Sequence, residues 1–373
     1  MRIAILSCFH PYRGGIAQFN AGIFTELGRE HSVKAFNFKR QYPSLLFPGK
    51  TQFVTDRDEA VPVPSEALLD SICPRSWRRT ARAVKAWKPD LLVVRYWMPF
   101  FAPSLGFVAR KMPPSVKVIG ILDNVIPHER RPLDGCLTRY FLAGLDGAVT
   151  LCEEVGRDLK ALRPQLPHKV LPHPVYTHFG EKLPRTEAES ALGLLPGKKN
   201  LLFFGLIREY KGLDILIEAF GRLDDSYQLI IAGEPYGSFE KYRKLIDACP
   251  GKERIRLYPE YIRDSEVKRW FSAADVVVLP YRSATQSGVS SVAYHFEVPM
   301  IVTAVGGLQE AIGGRGTGIV ASRISPECIA SCIEGYFASA EVREKCVEAI
   351  RAEKQRLGWE KFCKDLIAFS QTV

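Results

Sequence analysis

The sequence predicts an α/β protein built from two doubly wound domains with parallel sheets. Short β-branched runs such as RIAILS (2–7) and DVVVLPY (275–281) alternate with longer amphipathic patterns such as GLDILIEAFGRL (212–223). Repeated strand–helix units of this kind imply parallel strands joined by right-handed crossovers. A length of 373 residues also favours two domains over one. The polar, proline-containing stretch 171–200 interrupts the alternation and is predicted to be the linker between them.

Strand candidates occur in both halves of the chain. They are RIAILS, VKAFNF, DLLVVR, VKVIGIL and GAVTLC in the first half, and LLFFGL, YQLIIAG, IRLYPEY, DVVVLPY and PMIVTAV in the second. Helical patterns such as QFNAGIFTELGRE (18–30) lie between them, and the last is GWEKFCKDLIAF (358–369). We predict domains at 1–180 and 181–355, followed by a terminal helix within 356–373.

The composition is typical of a soluble globular protein. Hydrophobic residues make up 46% and charged residues 25% of the chain, and nine cysteines are scattered without a CxxC pair. This scatter favours reduced thiols in the cytosol over a disulfide framework. The first apolar run is too short for a signal peptide, and no run approaches the ~20 residues that span a bilayer. We therefore expect a cytoplasmic protein.

Positive charge is concentrated in the first half. The net charge of +10 arises within residues 1–185, and the remainder is nearly neutral. In the predicted helix 74–88, Trp77 and Val84 fall on one side and a row of basic side chains on the other. That row consists of Arg75, Arg78, Arg79, Arg82 and Lys85. It is either a solvated surface or a contact for anionic lipid headgroups or an anionic acceptor. Without an RNP, KH or helix-turn-helix pattern, nucleic acid is not the expected partner.

Two loops at predicted strand ends offer groups that bind anions. Arg208 and Lys211 lie between LLFFGL and a helix, where a guanidinium and an ammonium suit a diphosphate; the alternative is a pair of exposed loop cations. Gln286, Ser287 and Gly288 follow DVVVLPY at a helix start, which offers backbone and side-chain donors. Because open parallel sheets bind ligands beyond the carboxyl ends of their strands, the two loops predict one site.

Glycines and acidic residues mark other strand ends. Gly14 and Gly15 open a helix after the first strand, either as a phosphate-approaching loop or as a plain tight turn. Further residues at strand ends of the second half are Gly233, Glu234, Tyr281 and, beyond Gly306–Gly307, Glu310. The DxD of Asp56 and Asp58 is not delivered by an apolar strand, and the seven histidines lack metal-ligand spacing. We expect no metal site.

Residues 201–310 resemble the donor domain of GT-B glycosyltransferases, in the large retaining, family-4-like group (glycosyltransferase group 1) that includes sucrose synthases and bacterial mannosyltransferases. The matching segments are GLIREYKGLDILIEAF, YQLIIAGE, AADVVVLPYRSA and VPMIVTAVGGLQE, and HPYRGGIAQFNAGIFTEL resembles the family's first loop and helix. The resemblance implies two Rossmann-like domains facing across a cleft, the first binding the acceptor and the second the nucleotide sugar. The terminal helix is expected to cross back onto the first domain.

The resemblance also implies a reaction. A sugar would leave a nucleotide diphosphate sugar with retained anomeric configuration, without a metal or other cofactor. Arg208 and Lys211 would neutralise the departing diphosphate as catalytic cations, and Gly15 would bring a backbone N–H to the same phosphates. The implied donor-binding residues are Gly14, Gly15, Gly233, Glu234, Tyr281, Gln286, Ser287, Gly288 and Glu310.

The chain departs from the family pattern at several positions. The family's pair of glutamates corresponds here to Ala284 and Val292, so both carboxylates are missing. The loop TQSG (285–288) resembles a subgroup in which Gln286 and Ser287 would supply contacts to the sugar or the phosphates.

In the first domain, VKVIGILDNVIPHERR (116–131) resembles a subgroup segment that commonly has a histidine before an asparagine. Here Asp123 precedes Asn124, so a carboxylate would lie near the transferred sugar, and Asp123 is a catalytic candidate. Asn124, His128 and Glu129 are candidates on the acceptor side. The alternative for His128 and Glu129 is a salt bridge with neighbouring arginines.

These patterns favour a retaining glycosyltransferase that transfers a sugar to a glycan or lipid-linked acceptor in cell-surface polysaccharide synthesis, peripheral on the inner face of the cytoplasmic membrane. An epimerase or phosphorylase on the same scaffold is the alternative enzyme, although the sequence carries no signature of a lysine-bound pyridoxal cofactor. The missing glutamates leave open a non-catalytic partner that binds nucleotide sugar for another transferase.

Overall fold

The computed structural model of the protein describes residues 1–43, 51–54, 61–126, 132–176, 179–284 and 287–373. These residues divide into two units, Met1–Pro174 with Leu357–Val373, and Val175–Arg356. The boundary predicted from the sequence is 180/181, whereas the units divide at 174/175.

Among the described residues each unit contains one sheet of several strands, and the pairs between these strands are all parallel. The first sheet consists of β1 (Arg2–Leu6), β2 (Ser32–Arg40), β3 (Ser65–Asp70), β4 (Leu91–Tyr96), β5 (Lys117–Leu122), β6 (Gly147–Thr150) and β7 (His168–Val170). The second consists of β8 (Lys199–Phe204), β9 (Tyr227–Ala232), β10 (Ile255–Tyr258), β11 (Val276–Leu279), β12 (Met300–Thr303) and β13 (Gly318–Ala321).

Helices connect these strands and cover both faces of the sheets. In the first half they are α1 (Gly15–Leu27), α2 (Pro74–Ala86), α3 (Ala102–Arg110), α4 (Asp134–Leu142) and α5 (Glu153–Leu162). In the second half they are α6 (Arg185–Ala191), α7 (Leu213–Phe220), α8 (Glu240–Ala248), α9 (Asp264–Ala273), α10 (Gly288–His295), α11 (Gly306–Leu308), α12 (Pro326–Ala338), α13 (Ala340–Arg356) and α14 (Trp359–Ser370).

The strand order places one switch point in each sheet. The first sheet runs β3-β2-β1-β4-β5-β6-β7 and the second β10-β9-β8-β11-β12-β13. In each, the chain winds one way from a central strand and then returns to the other side of it. Ligands of doubly wound sheets bind where this reversal occurs, beyond the carboxyl ends of β1 and β4 or of β8 and β11.

Apolar side chains on both faces of the first sheet form its core. On one face Tyr96 stacks on Phe141 with ring centroids 4.4 Å apart. On the other face α14 packs on α1, where Trp359 and Phe362 lie 5.2 and 5.6 Å from Phe19. Helices cover both faces of the central strands, so these strands are continuous apolar runs in the sequence. β4, for example, is buried along its whole length.

The predicted α/β class and the predicted strand runs are confirmed, with two differences. Strands β3, β7 and β13 have no counterpart among the sequence candidates because they are short, partly exposed edge strands without a strong apolar run. The prediction of 171–200 as a linker was wrong in its second part, since α6 and the start of β8 lie within it. Helix α6 forms because Ala188 is buried and Arg185 bonds Glu189 one turn later at 2.7 Å.

Candidate functional site

The loops that follow β8 and β11 lie beside each other at the carboxyl edge of the second sheet, because these strands are neighbours at its switch point. The first loop contains a 3₁₀ turn, Glu209–Lys211, and leads into α7. The second loop leads into α10. The structure therefore brings Arg208 and Lys211 to the same edge of one sheet as Ser287 and Gly288.

Lys211 is a buried cation in the turn between β8 and α7. The residue is 9% exposed, and in the described part of the chain no carboxylate lies within ion-pair distance of its ammonium. Its Nζ lies 5.6 Å from the ring centroid of Tyr281. Burial and, second, the charge of Arg208 lower the pKa of Lys211 to about 8. A bound anion would offset both effects, because it would restore a partner to the ammonium.

Arg208 provides the second cation of the site. It is half-buried, and its guanidinium carbon lies 3.8 Å from the ring centroid of Tyr236. Among the residues with described positions, none forms an ion pair with it. The alternative interpretation of the sequence is that Arg208 and Lys211 are exposed loop cations. The burial of Lys211 and the stacking of Arg208 on Tyr236 contradict that interpretation.

Two glycines allow the close packing of this edge. Gly212, with φ +67°, begins α7, and a Cβ there would lie 2.0 Å from the carbonyl oxygen of Pro280 in the second loop. Gly233, with φ +154°, ends β9, and a Cβ there would lie 1.9 Å from the carbonyl oxygen of Gly205. Side chains at either position would push the strand ends apart. The role of Gly233 is thus to permit contact between backbones.

An ion pair that the sequence did not suggest fixes the two loops to each other. Arg282, from the second loop, donates from Nη1 and Nη2 to the carboxylate of Asp214 at 2.9 and 2.8 Å. Its Nη1 and backbone N–H also donate to the carbonyl oxygens of Glu209 and Tyr210, at 2.9 and 2.6 Å. The 3₁₀ turn that carries Lys211 is therefore held by Arg282 on two sides.

Tyr281 and Ser287 shape the second loop. Tyr281 is buried, its hydroxyl lies 3.3 Å from the Ser287 hydroxyl, and burial raises its pKa. Ser287 precedes α10, and Gly288 is the first residue of that helix. No side chain in the described part of the chain caps the helix, which leaves its first N–H groups directed toward the loop. Gln286 lies outside the described residues.

The two positions where the sequence lacks glutamates are apolar and buried. Ala284 is 5% exposed and Val292 is 6% exposed. Of the other predicted residues, Glu234 is buried beside Gly233, and its backbone oxygen accepts the Ile207 N–H at 2.9 Å. Glu310 lies on an exposed turn that follows β12 and α11.

Residues 198–338, which contain this whole edge, match the profile of the family described as "Glycosyl transferases group 1". The chain is also 26% identical over 180 residues to a D-inositol 3-phosphate glycosyltransferase of Xylanimonas cellulosilytica. That match covers 48% of this chain and 43% of the relative, so the chain spans less than half of the relative's length. Residues 198–338 form a glycosyl transferases group 1 domain.

Two solved structures are similar over their full length. Sucrose-phosphate synthase from Thermosynechococcus elongatus has a TM-score of 0.77 at 16% identity, and the match covers 100% of this chain and 99% of that chain. HepE from Anabaena, solved in complex with UDP, has a TM-score of 0.79 at 14% identity and covers 100% of both chains. A second HepE structure, in complex with UDP-glucose, gives 0.77 at 13%. The fold is GT-B, as the sequence predicted.

The first unit of this GT-B fold carries a buried ion pair at the carboxyl edge of its sheet. Asp123 follows β5, is 6% exposed, and accepts from Arg95 Nε at 2.7 Å and Nη2 at 2.5 Å. The Arg95 guanidinium also lies 3.7 Å from the ring centroid of Phe19. The negative charge of Asp123 is therefore paired with the positive charge of Arg95 in any reaction that Asp123 takes part in. Arg95, which the sequence did not single out, is 3% exposed, and its Nη1 has no hydrogen-bond partner among the described residues.

The remaining candidates of the first unit have varied surroundings. Gly14, with φ +104°, precedes α1, and Gly15 is the first residue of that helix after β1. Asn124 donates to the Trp97 carbonyl oxygen at 3.5 Å. His128 and Glu129, predicted on the acceptor side, lie outside the described residues. The basic row of α2 is exposed as predicted, while Ala81 and Val84 on its other side are buried.

The described residues contain neither a metal-ligand cluster nor a membrane-spanning helix. No group of three or more His, Cys, Asp or Glu side chains there could hold a metal ion. Within the same residues, no helix combines the length and the apolar character that crossing a membrane requires. Arg208, Lys211 and the start of α10 place positive charge at the carboxyl edge of the second sheet.

Proposed function

We propose that the protein is a retaining glycosyltransferase that moves a sugar from a nucleotide diphosphate sugar to a glycan or lipid-linked acceptor. The observation that carries this proposal is the pair Arg208 and Lys211, two cations without a carboxylate partner among the described residues, at the switch point of the group 1 domain. The names of the similar proteins support it, since HepE was solved with UDP-glucose and the relative is a glycosyltransferase.

In this proposal the cations act on the leaving group. When the bond between the sugar and the diphosphate breaks, negative charge grows on the phosphate oxygens. Arg208 and Lys211 are already in place, so they stabilise this charge without reorganising, and the low dielectric around the buried Lys211 strengthens the effect. The N–H groups at the start of α10 add donors on the side of β11. These groups supply the positive charge, so the proposal needs no metal.

The acceptor is assigned to the first unit in this proposal. A carboxylate near the transferred sugar would orient that sugar. Asp123 can supply this carboxylate, because two hydrogen bonds from Arg95 hold it in one geometry. The exposed basic row of α2 suits an anionic surface. We accordingly place the reaction at the cytoplasmic face of the membrane, in the synthesis of a cell-surface polysaccharide.

Thermal unfolding with a panel of UDP-, GDP-, ADP- and dTDP-sugars tests the donor site. A ligand that binds only the folded state raises the unfolding temperature by mass action. We expect one nucleotide to stabilise the wild type and the control Lys244→Ala, which removes an exposed lysine of α8, and to have no effect on Arg208→Ala or Lys211→Ala. Stabilisation that persists in both site variants would refute the assignment.

A non-catalytic nucleotide-sugar-binding protein is the second candidate. The observation that favours it is the burial of Ala284 and Val292, which leaves no carboxylate where the family pattern has two. Release of free sugar from the stabilising nucleotide sugar, measured over hours, separates the candidates. Slow hydrolysis that is abolished by Lys211→Ala supports the transferase. An enzyme that activates the donor also transfers its sugar slowly to water. Saturable binding without hydrolysis or transfer supports the binding protein.

A further inference from the structure

A cavity of about 300 Å³ opens in the second unit at the edge of the sheet opposite to the proposed donor site. Lys199, which lines it, is the first residue of β8, and Asp275, also in its lining, directly precedes β11. Arg208 and Lys211 instead follow the carboxyl end of β8. Since the strands are parallel, the cavity lies at their amino ends and is separate from the site above.

The carboxylate in the cavity lining is already paired. Asp275 accepts hydrogen bonds from the Asn200 N–H at 2.7 Å and from Arg185 Nη2 at 2.9 Å. Arg185 in turn bonds Glu189 at 2.7 Å. Asp275 and Glu189 therefore share one cation, Arg185, and this group carries a net charge of −1.

Three further cations of the lining contact carbonyl oxygens or aromatic rings. Lys198 donates to the Asp225 carbonyl oxygen at 2.6 Å, and Arg343 donates from Nη1 to the Phe337 carbonyl oxygen at 2.6 Å. Lys199 Nζ lies 4.4 and 5.4 Å from the ring centroids of Tyr227 and Phe337. Within the described ranges of the chain, no carboxylate forms an ion pair with Lys198, Lys199 or Arg343. Three like charges beside one concavity repel one another unless an anion joins them.

We propose that this cavity binds the phosphate group of a small phosphorylated molecule. Arg343 has N–H donors beyond the Nη1 bonds to carbonyl oxygens, and its planar guanidinium suits a phosphate. Lys198 and Lys199 add two ammonium groups from consecutive positions at the start of β8. The partly exposed ring of Phe337 gives the organic part of a phosphate monoester an apolar surface to pack on. The volume is at the lower end of the ~300–1,000 Å³ common for ligand sites and suits a small molecule.

Calorimetric titration with inorganic phosphate tests the proposal, carried out on the full chain with the donor site removed by Arg208→Ala and Lys211→Ala. We expect saturable binding to persist in this background and to weaken by about tenfold or more when Arg343→Gln and Lys199→Met are added, because each removes a charge-assisted hydrogen bond. Lys345→Gln, which changes an exposed cation of α13 outside the cavity, should leave phosphate binding unchanged. Circular dichroism confirms that each variant is folded.

Lys198→Gln provides a second, milder variant at the periphery of the fold, and a weakening there supports the same assignment. Phosphate binding that vanishes with Arg208→Ala and Lys211→Ala would overturn the proposal, because all of it would then belong to the donor site. Binding that remains after Arg343→Gln, Lys199→Met and Lys198→Gln would overturn it as well. Neither result bears on the proposed transferase activity, which depends on the other edge of the sheet.

Discussion

The guanidinium of Arg282 and the carboxylate of Asp214 form a two-point ion pair, with Nη1 and Nη2 at 2.9 and 2.8 Å from the carboxylate oxygens. The pair joins the loop after β11 to the first turn of α7, which follows the loop that carries Arg208 and Lys211. The pKa of Asp214 is lowered despite the opposing effect of burial, because hydrogen bonds and charge from Arg282 and Lys241 outweigh it. Arg282 is therefore a positioning residue for the proposed diphosphate site.

Substitution Arg282→Lys should weaken donor binding while leaving the fold intact. A lysine keeps the charge, but it cannot bond both carboxylate oxygens and the Glu209 carbonyl oxygen together. We expect the Kd for the stabilising nucleotide to rise by about tenfold, or about 1.4 kcal/mol, because the turn that carries Lys211 loses part of its support. Calorimetric titration with the nucleotide measures this change.

Arg222→Lys is the matched control for that experiment. Arg222 forms an ion pair with Glu327 in which both side chains are more than half exposed, away from the two loops. It should leave the nucleotide Kd unchanged. Equal nucleotide affinity in Arg282→Lys and wild type would show that the two loops hold their positions without this ion pair.

Asp123→Ala should lower the stability of the first unit. The substitution leaves Arg95 buried without its bidentate partner, and removing one member of a buried ion pair typically costs about 3–5 kcal/mol. The double variant Arg95→Met with Asp123→Leu should recover much of this loss, since no unpaired charge is left. Urea unfolding monitored by circular dichroism gives the free energies.

Asp70→Ala serves as the control for the ion pair, because Arg40, its partner, is 46% exposed and the effect should be much smaller. If Asp123→Asn unfolds at the wild-type urea concentration and yet transfers no sugar, the carboxylate acts on the substrate rather than on Arg95. Loss of stability without a specific loss of transfer would instead make Asp123 a structural residue.

The location of the candidate site followed from local patterns. A buried run that ends at Phe204 and an amphipathic pattern that begins near Leu213 place Arg208 and Lys211 at the carboxyl edge of a parallel sheet. Strand identity and strand end are both encoded within a few residues, so this part of the fold could be predicted. Edge strands such as β7 could not, because three half-exposed residues carry no apolar signal.

The partners of the site residues could not be predicted in the same way. Arg282 and Asp214 belong to different strand–helix units, and so do Arg95 and Asp123. Their pairing depends on the strand order β8-β11 and β4-β5, which is a tertiary property. The burial of Lys211 likewise depends on the ring of Tyr281 from the neighbouring loop. The sequence nevertheless contained a signal for Arg282. This cation directly follows the predicted strand DVVVLPY, whose end lies beside the loop that carries Arg208 and Lys211.

Reversing charge on α2 should abolish binding to anionic membranes if the proposed membrane contact is correct. Arg78→Glu with Arg82→Glu changes two exposed residues and leaves the buried Ala81 and Val84 untouched. We expect co-sedimentation with phosphatidylglycerol vesicles to fall by roughly tenfold or more, and phosphatidylcholine vesicles to bind neither protein. Lys117→Glu, an exposed residue at the start of β5, should behave as wild type. Equal binding of the α2 variant and wild type would leave this helix as an ordinary solvated surface.

Nucleotide binding should take up a proton near pH 8. Without an anion, burial and Arg208 hold the pKa of Lys211 at about 8, below its ordinary value of 10.5, so part of the ammonium is neutral at that pH. A diphosphate favours the charged form and raises this pKa, and affinity should therefore be constant well below pH 8 and fall as the pH rises through 8. Calorimetric titration at pH 8 in two buffers of different ionisation enthalpy measures the uptake. Lys211→Met should bind more weakly and without it, whereas Lys244→Met should match wild type. Binding by the wild type with no proton uptake would show that the diphosphate does not contact Lys211.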